Sequence, residues 1–390
     1  MKVAVIGSGT SGVITAMRLI ENNHTVDIYS DPNKSAINVG ESTTPVIGAS
    51  ILHNLNLTIQ ELIDMDIASL KVGVKFIDWG VGNQFIHGFR NEIAFHFESV
   101  PFSETLSSNL KQIGITYIYE NVSGHKENEH SITVNNREYD FVVYCTGWSN
   151  TDSVSEPLFE SVNSAILFQR EDLDEEPNCT LHIATDDGWM FGLPFPKREI
   201  TKHGYLYNNQ FEPSEYLKKR LNDQDYVRQI SWKPKACDVL IQSPRVAFNG
   251  NRLFFIEPLQ ALSLHYYDYF ARQICVYLAD MGTQTLGYVN RDYHVTMIQY
   301  QLSIAFHYSF GSVKNSQFWD HIKLKGQQTL AYVSPFAKKK LFKNAYLTDK
   351  EHCIQRLHLS TIGTFDWRDV TWLYEGFTGE KIDDLFSEVI

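Results

Sequence analysis

At 390 residues the chain is long enough for one large domain or two medium ones around a sizeable core. Its apolar content of 43% and charged content of 21% are those of a globular protein, and a formal net charge of -12 with no basic run argues against a nucleic-acid partner. Five cysteines (Cys145, Cys179, Cys237, Cys275, Cys353) are scattered and odd in number, which fits a reduced compartment and no structural zinc, and no metal site is expected.

Residues 2–6 read as a short buried strand that starts at once, without the charged lead and apolar run of a signal peptide. No later stretch approaches the ~18 apolar residues of a membrane span, so no membrane partner is expected and the location is read as cytoplasmic. Gly7-Ser8-Gly9-Thr10-Ser11-Gly12 follows, then a helix with Val13, Ala16, Met17 and Ile20 on its apolar face, then a second strand at 24–30. This is a dinucleotide fingerprint inside a βαβ unit. Gly7 permits the tight turn, Gly9 lets the backbone approach a pyrophosphate, and Gly12 allows close helix–strand packing. The helix N-terminus then offers unpaired N–H groups and the positive end of its dipole. The bland alternative is a glycine-rich turn with no ligand. At the end of the second strand no carboxylate stands cleanly where a ribose is usually held; Ser30 or Asp31 must serve, or the contact is made otherwise.

Residues 39–45, Val-Gly-Glu-Ser-Thr-Thr-Pro, form a polar loop. It reads as a helix start with Ser42 or Thr43 as N-cap and Pro45 in the first turn, or as a loop along a cofactor, and the two are compatible. In residues 69–79, Leu70, Val72, Val74 and Phe76 alternate as in a half-buried strand. The other face carries Lys71, Gly73 and Lys75. At about 3.3 Å per residue the two lysines point the same way roughly 13 Å apart, with open space left by Gly73 between them. Lysine is a poor strand former, so the segment alone reads as a solvated outer face.

The GxGxxG start, the Gly-Glu-Ser-Thr-x-Pro loop and the Lys-Val-Gly-Val-Lys-Phe-Ile-Asp-Trp strand together resemble the flavin-dependent halogenases of the tryptophan halogenase family. The chain looks like a short member. The resemblance implies FAD along Gly7, Ser8, Gly9, Thr10, Ser11 and Gly12, strapped by Gly40, Glu41, Ser42 and Thr43, with further contacts at Val122 and Leu264. It puts the catalytic role on Lys71. Phe95-His96-Phe97-Glu98 and a helix at 102–113 match the return to the FAD domain, 116–122 a strand, 123–137 a hairpin or loop, and 139–148 the strand and Cys-x-Gly turn closing the nucleotide fold. Residues 166–168 read as a strand of a second sheet, 204–207 as another strand and 213–221 as a helix. Residues 188–194 correspond to the Trp-x-Trp-x-Ile-Pro signature, with Phe191 and Leu193 as replacements; Trp189, Phe191 and Pro194 are the implied barrier between substrate and flavin.

Residues 249–265 resemble the Glu-Pro-Leu-Glu-Ser-Thr block with departures. The connection from Gly250-Asn251 to Glu257-Pro258 is short, Gln260 stands where the lysine's carboxylate partner is expected, and Ala261-Leu262 replace Ser-Thr. The backbone of Leu262 and Ser263 is the implied halide site, and Glu257 an alternative carboxylate. A helix at 293–308 ends in Phe306-His307-Tyr308, which with Phe318-Trp319 matches a His-Tyr … Phe-Trp pattern. The C-terminal substrate region is shorter than in tryptophan-specific members, so no tryptophan-binding residues are assigned.

The implied activity takes reduced FAD (FADH2) from a separate flavin reductase, with oxygen and chloride, bromide or iodide. Hypohalous acid forms and is held at Lys71, with Lys75 as a supporting charge, until an electron-rich aromatic small molecule attacks the halogen. An amide at Gln260 can only hydrogen-bond, which suits an activated substrate or an easily oxidised halide. A flavin-dependent aromatic hydroxylase and a non-catalytic degenerate flavoprotein are the alternatives. The expected fold is α/β: a Rossmann-type FAD-binding domain with an interleaved antiparallel substrate-side sheet and a helical C-terminal part. The expected ranges are 1–150 for the first part of the FAD-binding domain with the lysine strand, 151–245 for the substrate-side sheet, 246–290 for a return to the FAD domain with the halide and catalytic segment, and 291–390 for the helical C-terminal part. A homo-oligomer is left open.

Overall fold

A computed structural model describes residues 1–34, 40–90, 92–147, 152–211, 214–221, 226–332, 365 and 367–381. Val39, Trp148, Pro213 and most of the expected helical region after 332 lie outside the described residues. The chain forms two units that alternate along it: unit 1 holds Met1–Lys71, Glu92–Glu156 and Pro234–Val295, and unit 2 holds Val72–Asn91, Pro157–Lys233 and the chain from Thr296. Residues 72–91, grouped with the FAD-binding part on sequence grounds, thus belong to unit 2.

Unit 1 opens with β1 (Lys2–Ile6), α1 (Thr10–Glu21), β2 (Thr25–Tyr29), β3 (Gly40–Ser42), α2 (Pro45–Leu55), α3 (Ile59–Asp64) and β4 (Ala68–Lys71). The chain gives β5 (Gly73–Ile77) and β6 (Gln84–Gly88) to unit 2, then returns with β7 (Ala94–Glu98), α4 (Ser99–Gln112) and β8 (Thr116–Ile118). The polar segment that follows is a small antiparallel set, β9 (Lys126–Glu127), β10 (Ile132–Val134) and β11 (Arg137–Tyr139), ahead of β12 (Phe141–Tyr144) and β13 (Val154–Ser155). Unit 2 resumes with β14 (Ser164–Arg170), β15 (Cys179–Thr185), β16 (Gly188–Phe195), β17 (Ile200–Tyr207), α5 (Ser214–Leu221) and β18 (Tyr226–Ser231). Unit 1 is completed by β19 (Lys235–Cys237), β20 (Ile241–Ser243), β21 (Val246–Phe248), β22 (Phe254–Phe255) and α6 (Leu262–Leu278). Helix α7 (Thr283–Phe310) starts in unit 1, and α8 (Gln317–Tyr332) and α9 (Trp367–Thr378) belong to unit 2.

Among the described residues, the main sheet of unit 1 runs β20-β21-β12-β1-β2-β8, with parallel pairing from β21 to β8. β1 is central, which is why Val3, Ala4, Val5 and Ile6 are all buried and the strand reads as a continuous apolar run. Helix α1 covers this sheet and packs on α6. Arg18, buried within α1, is neutralised by Asp268 of α6 at 2.5 Å and Glu21 at 2.6 Å. Removing one partner of such a buried pair costs about 3–5 kcal/mol, so the pair fixes the two helices against each other. A second sheet, β3-β7-β4, carries the segment of interest. Four described cysteines, Cys145, Cys179, Cys237 and Cys275, are buried. Burial pushes the thiols of Cys145, Cys237 and Cys275 up to about 12.

Unit 2 is built on a seven-stranded sheet, β18-β14-β17-β16-β15-β5-β6, antiparallel except where β5 runs parallel to β15. Its core is aromatic. Phe76 and Trp79 meet edge-on at 5.8 Å, and Trp79 meets Trp319 at 5.3 Å and Tyr308 at 5.8 Å between ring centroids.

The lysine strand corrects the expectation of one continuous strand. β4 ends at Lys71 in unit 1, β5 begins at Gly73 in unit 2, and Val72 between them is 38% exposed. Lys71 and Lys75 therefore lie in different sheets and share no strand face. Gly73 does not open space for them either. A Cβ there would lie 2.8 Å from the His87 carbonyl oxygen, so the glycine is required for the close approach of β6.

Candidate functional site

The fingerprint loop is formed as its glycines demand. Gly7 has φ +115, a conformation favourable only for glycine, and a Cβ on Gly12 would lie 1.9 Å from the Gly7 carbonyl oxygen. Nothing lies within 4 Å of the Cβ position of Gly9, the N-cap of α1, which has no side-chain cap; the first turn of α1 carries no acidic residue. Bare N–H groups beside open space fit a dinucleotide pyrophosphate. Gly250 closes the loop from α6's side of the unit: a Cβ on it would lie 2.2 Å from Ser11 Oγ. Of the two candidates at the end of β2, Ser30 is tied to the fingerprint, its Oγ 2.8 Å from Ser8 Oγ. Asp31 turns away and accepts from the Asn33 N–H at 2.9 Å. Val122 is half-buried, four residues beyond β8, the strand that flanks β2.

The residues read as a polar loop are partly a strand. β3 pairs antiparallel with β7, placing Gly40 opposite Glu98, Glu41 opposite Phe97 and Ser42 opposite His96. The next helix is capped by Thr44 rather than by Ser42 or Thr43, with Pro45 at its start. Thr43 is locked onto Phe95: its N–H donates to the Phe95 carbonyl at 2.9 Å, and the Phe95 N–H donates to its Oγ1 at 3.0 Å. Because neighbouring strand residues face opposite ways, Glu41 and Ser42 serve different sides. Thr10 Oγ1 donates to Glu41 Oε1 at 3.1 Å. On the other face, Lys71 Nζ donates to Ser42 Oγ at 2.9 Å and to the Thr43 carbonyl at 3.1 Å.

Lys71 has no exposed surface. β4 and β7 pair so that Lys71 lies opposite Ala94 and Ser69 opposite His96. Ser42, His96, Ser69 and Lys71 thus occupy one face of the three-stranded sheet. His96 Nδ1 lies 3.2 Å from Ser69 Oγ. Burial, and then the charge of Lys71, hold the imidazole well below its ordinary value, so it is neutral. Nothing in the sequence reading singled out His96. Its signal was available: a histidine alternating with Phe95 and Phe97 belongs to the face opposite those rings.

Gln260 and Ala261 form the turn that opens α6, with φ 60 and φ 57 respectively, both left-handed. Two successive non-glycine residues in that region are costly, of the order of 1–2 kcal/mol each, and such strain concentrates at functional turns. Leu262 then enters the right-handed helix, and the first turn of α6 has neither a side-chain cap nor an acidic residue. The N–H of Ala261 is spent on the Pro258 carbonyl at 3.0 Å. The strained turn therefore aims the amides of Leu262, Ser263 and Leu264 out of the helix end, an arrangement suited to an anion. Gln260 and Glu257 are both buried beside it.

In unit 2, Lys75 Nζ is held by Asp174 at 2.6 Å. Trp189 and Phe191 lie on one face of β16 and Pro194 on the other. Trp189 is fully buried with His182 at 4.7 Å and Trp79 at 6.4 Å between centroids, and Phe191 lies over Gly204. His307 of α7 is pushed down to about 4 by burial, against its bond to the Ser303 carbonyl.

The sequence model of the tryptophan halogenase family matches residues 2–93 and 90–350. The chain belongs to this family. It is a flavin-dependent halogenase, an FADH2-dependent oxidoreductase that uses FAD and halide. No protein of curated function matches the chain in sequence. Among solved structures it is similar to a tryptophan 6-halogenase from Streptomyces toxytricini, with a TM-score of 0.81 at 17% identity over 100% of this chain and 95% of that one. It is also similar to a tryptophan halogenase from Shewanella frigidimarina, TM-score 0.76 at 18% identity over 99% and 95%. A flavin-dependent halogenase from Brevundimonas sp. BAL3 gives 0.75 at 16% identity over 100% and 94%. These likenesses establish the fold. Among the described residues, no helix of this halogenase is long and apolar enough to cross a membrane.

Proposed function

We propose that the halogenase installs halogen on an electron-rich aromatic small molecule, using hypohalous acid held at Lys71. The observation that carries this reading is the buried Lys71 ammonium, bonded to Ser42 Oγ and the Thr43 carbonyl on the strap strand. Taking an ammonium out of water is costly, which makes a fully buried lysine a functional candidate. Reduced FAD bound at the α1 N-terminus supplies, with oxygen, the two-electron oxidation of halide.

The chain's own groups do the rest. Chloride, bromide or iodide is bound by the Leu262 and Ser263 amides, where side-chain identity does not matter. Lys71 polarises the O–X bond of hypohalous acid through an N–H donor, or as the neutral amine attacks the halogen, forming N–X as O–X breaks and releasing water with the amine proton. Gln260 can orient this exchange by hydrogen bonding but cannot take the proton released by the arene, which favours a phenol, indole or pyrrole over an inert ring. Trp189 and Phe191, which share a face of β16, act as a barrier between the organic substrate and the flavin, a role that Pro194 on the other face does not share. Lys75 is engaged by Asp174 and lies in another sheet, so it does not serve as the second charge; His96, which is neutral, shares Lys71's face with Ser42, Ser69 and Glu98. A separate flavin reductase supplies the reduced cofactor, in the cytoplasm.

The test supplies enzymatically reduced FAD, oxygen and each halide in turn to a panel of phenols, indoles and pyrroles, with mass spectrometry of the products. Halogenated product that disappears in Lys71→Ala is expected. Equal product from that variant would point to free hypohalous acid, hydroxylated product to a hydroxylase, and no product with any halide to a chain whose chemistry Gln260 has impaired.

A further inference from the structure

The second face of β3 presents a separate problem. Glu41 puts its carboxylate against Thr10, the first residue of α1, at the helix end that the flavin reading gives to a pyrophosphate. Thr10 Oγ1 donates to Oε1 at 3.1 Å, and the Ser99 hydroxyl at the start of α4 bonds the same carboxyl. Ser103, one turn along α4, lies 3.4 Å from Thr10 Oγ1. The groups packed around Glu41 are therefore hydroxyls from α1 and α4. The charged residues of the surrounding elements are engaged elsewhere. Glu104 of α4 is exposed, Glu98 of β7 pairs with Gly40 and so faces the side opposite Glu41, and Arg18 of α1 is held by Asp268 and Glu21.

A carboxylate in that position repels an incoming pyrophosphate, and among the described residues no cation is bonded to it. We propose that Glu41 is carried as the neutral acid in the flavin complex, so that binding FAD takes up one proton at this side chain. Glu41 is half-buried, and that desolvation favours the neutral form, raising the carboxyl above its ordinary value against the opposing bonds from Ser99 and Thr10. A protonated Glu41 keeps its acceptor for Thr10 and gains a donor for a phosphate oxygen. Linkage then sets the pH dependence. Affinity for FAD falls up to tenfold per pH unit between the values of this carboxyl in the free and the flavin-bound protein, and levels off above the second.

The inference rests on the flavin reading of α1, and the experiment separates the two. FAD is titrated into the full chain by flavin fluorescence from about pH 5.5 to about pH 9, and by calorimetry in buffers of different ionisation enthalpy. Riboflavin, which has no phosphate, is the control ligand, and Glu41→Gln, neutral and of the same shape, is the control protein. We expect proton uptake approaching one per FAD in the native chain, little with riboflavin, and none attributable to this site in Glu41→Gln. That variant should bind FAD at least tenfold more tightly than the native chain near pH 8. FAD binding without proton uptake, uptake of equal size with riboflavin, or a native uptake unchanged in Glu41→Gln would each overturn the inference and leave the flavin site standing. No FAD binding at any pH would remove both.

Discussion

Lys71 Nζ and Ser42 Oγ meet at 2.9 Å across two strands that are both hydrogen-bonded to β7, so the amine is held by the same strand whose previous residue touches the fingerprint helix. Ser42→Ala removes an acceptor from a buried ammonium, a loss of about 1.5–3 kcal/mol. Urea unfolding should show that loss, and turnover with reduced FAD and bromide should fall about tenfold or more. Ser42→Thr, which keeps the hydroxyl, should retain most of both. Full turnover in Ser42→Ala would show that the strap does not position Lys71.

The Ser8–Ser30 hydroxyl pair stands where a carboxylate would grip a ribose. Two neutral hydroxyls make a weaker hold than an ionised acceptor. Ser30→Glu is therefore expected to tighten FAD binding by roughly tenfold, about 1.4 kcal/mol, in a fluorescence titration. An unchanged or weaker affinity would mean that the ribose lies elsewhere.

Ala261 holds φ 57 without being glycine. Ala261→Gly should raise the unfolding free energy by about 1 kcal/mol by relieving that strain. The halide concentration for half-maximal turnover should rise, because a glycine turn holds the Leu262 and Ser263 amides less firmly. Destabilisation by this substitution would contradict the strain argument.

His96 and His307 are buried and held below their ordinary value, the latter at about 4. The unfolded chain takes up protons at these positions near pH 6.5 while the folded chain does not, so their contribution to stability is complete above about pH 6.5 and is lost as the pH falls below it, for His307 down to about 4. His307 contributes up to about 1.4 kcal/mol per pH unit within that window. In His307→Phe the slope of stability against pH should drop by one such share, measured by denaturant unfolding at several pH values. An unchanged slope would show that His307 does not titrate between the two states.

The βαβ unit was legible because its signals are local: an apolar run, three spaced glycines and a periodic helix in sequence. β1 spans the residues expected, and α1 begins inside the fingerprint, at Thr10. The break at Val72 was not legible. Alternation reports only that a segment is extended, whereas sheet membership depends on distant partners, Ala94 for Lys71 and Cys179 for Gly73. The same limit explains why Lys71 read as solvated: what buries it is β7, more than twenty residues later. Residues 40–42 read as loop because Gly, Glu and Ser have low strand propensity, and pairing with β7 overrides it. The strained turn at Gln260 and Ala261 carries no glycine to announce it, so only the backbone angles reveal it.

The state of the thiols has a consequence for the survival of the catalyst itself. Hypohalous acid attacks sulfur faster than it attacks most arenes, and it attacks the thiolate faster than the thiol. Cys145 sits against the fingerprint, with Thr15 Oγ1 3.5 Å from its sulfur, yet it is buried and stays protonated far above neutral pH, as do Cys237 and Cys275. On the proposed chemistry, a protein that generates an oxidant inside itself keeps these sulfurs in their least reactive form, so that the halogen is spent on the substrate and not on its maker.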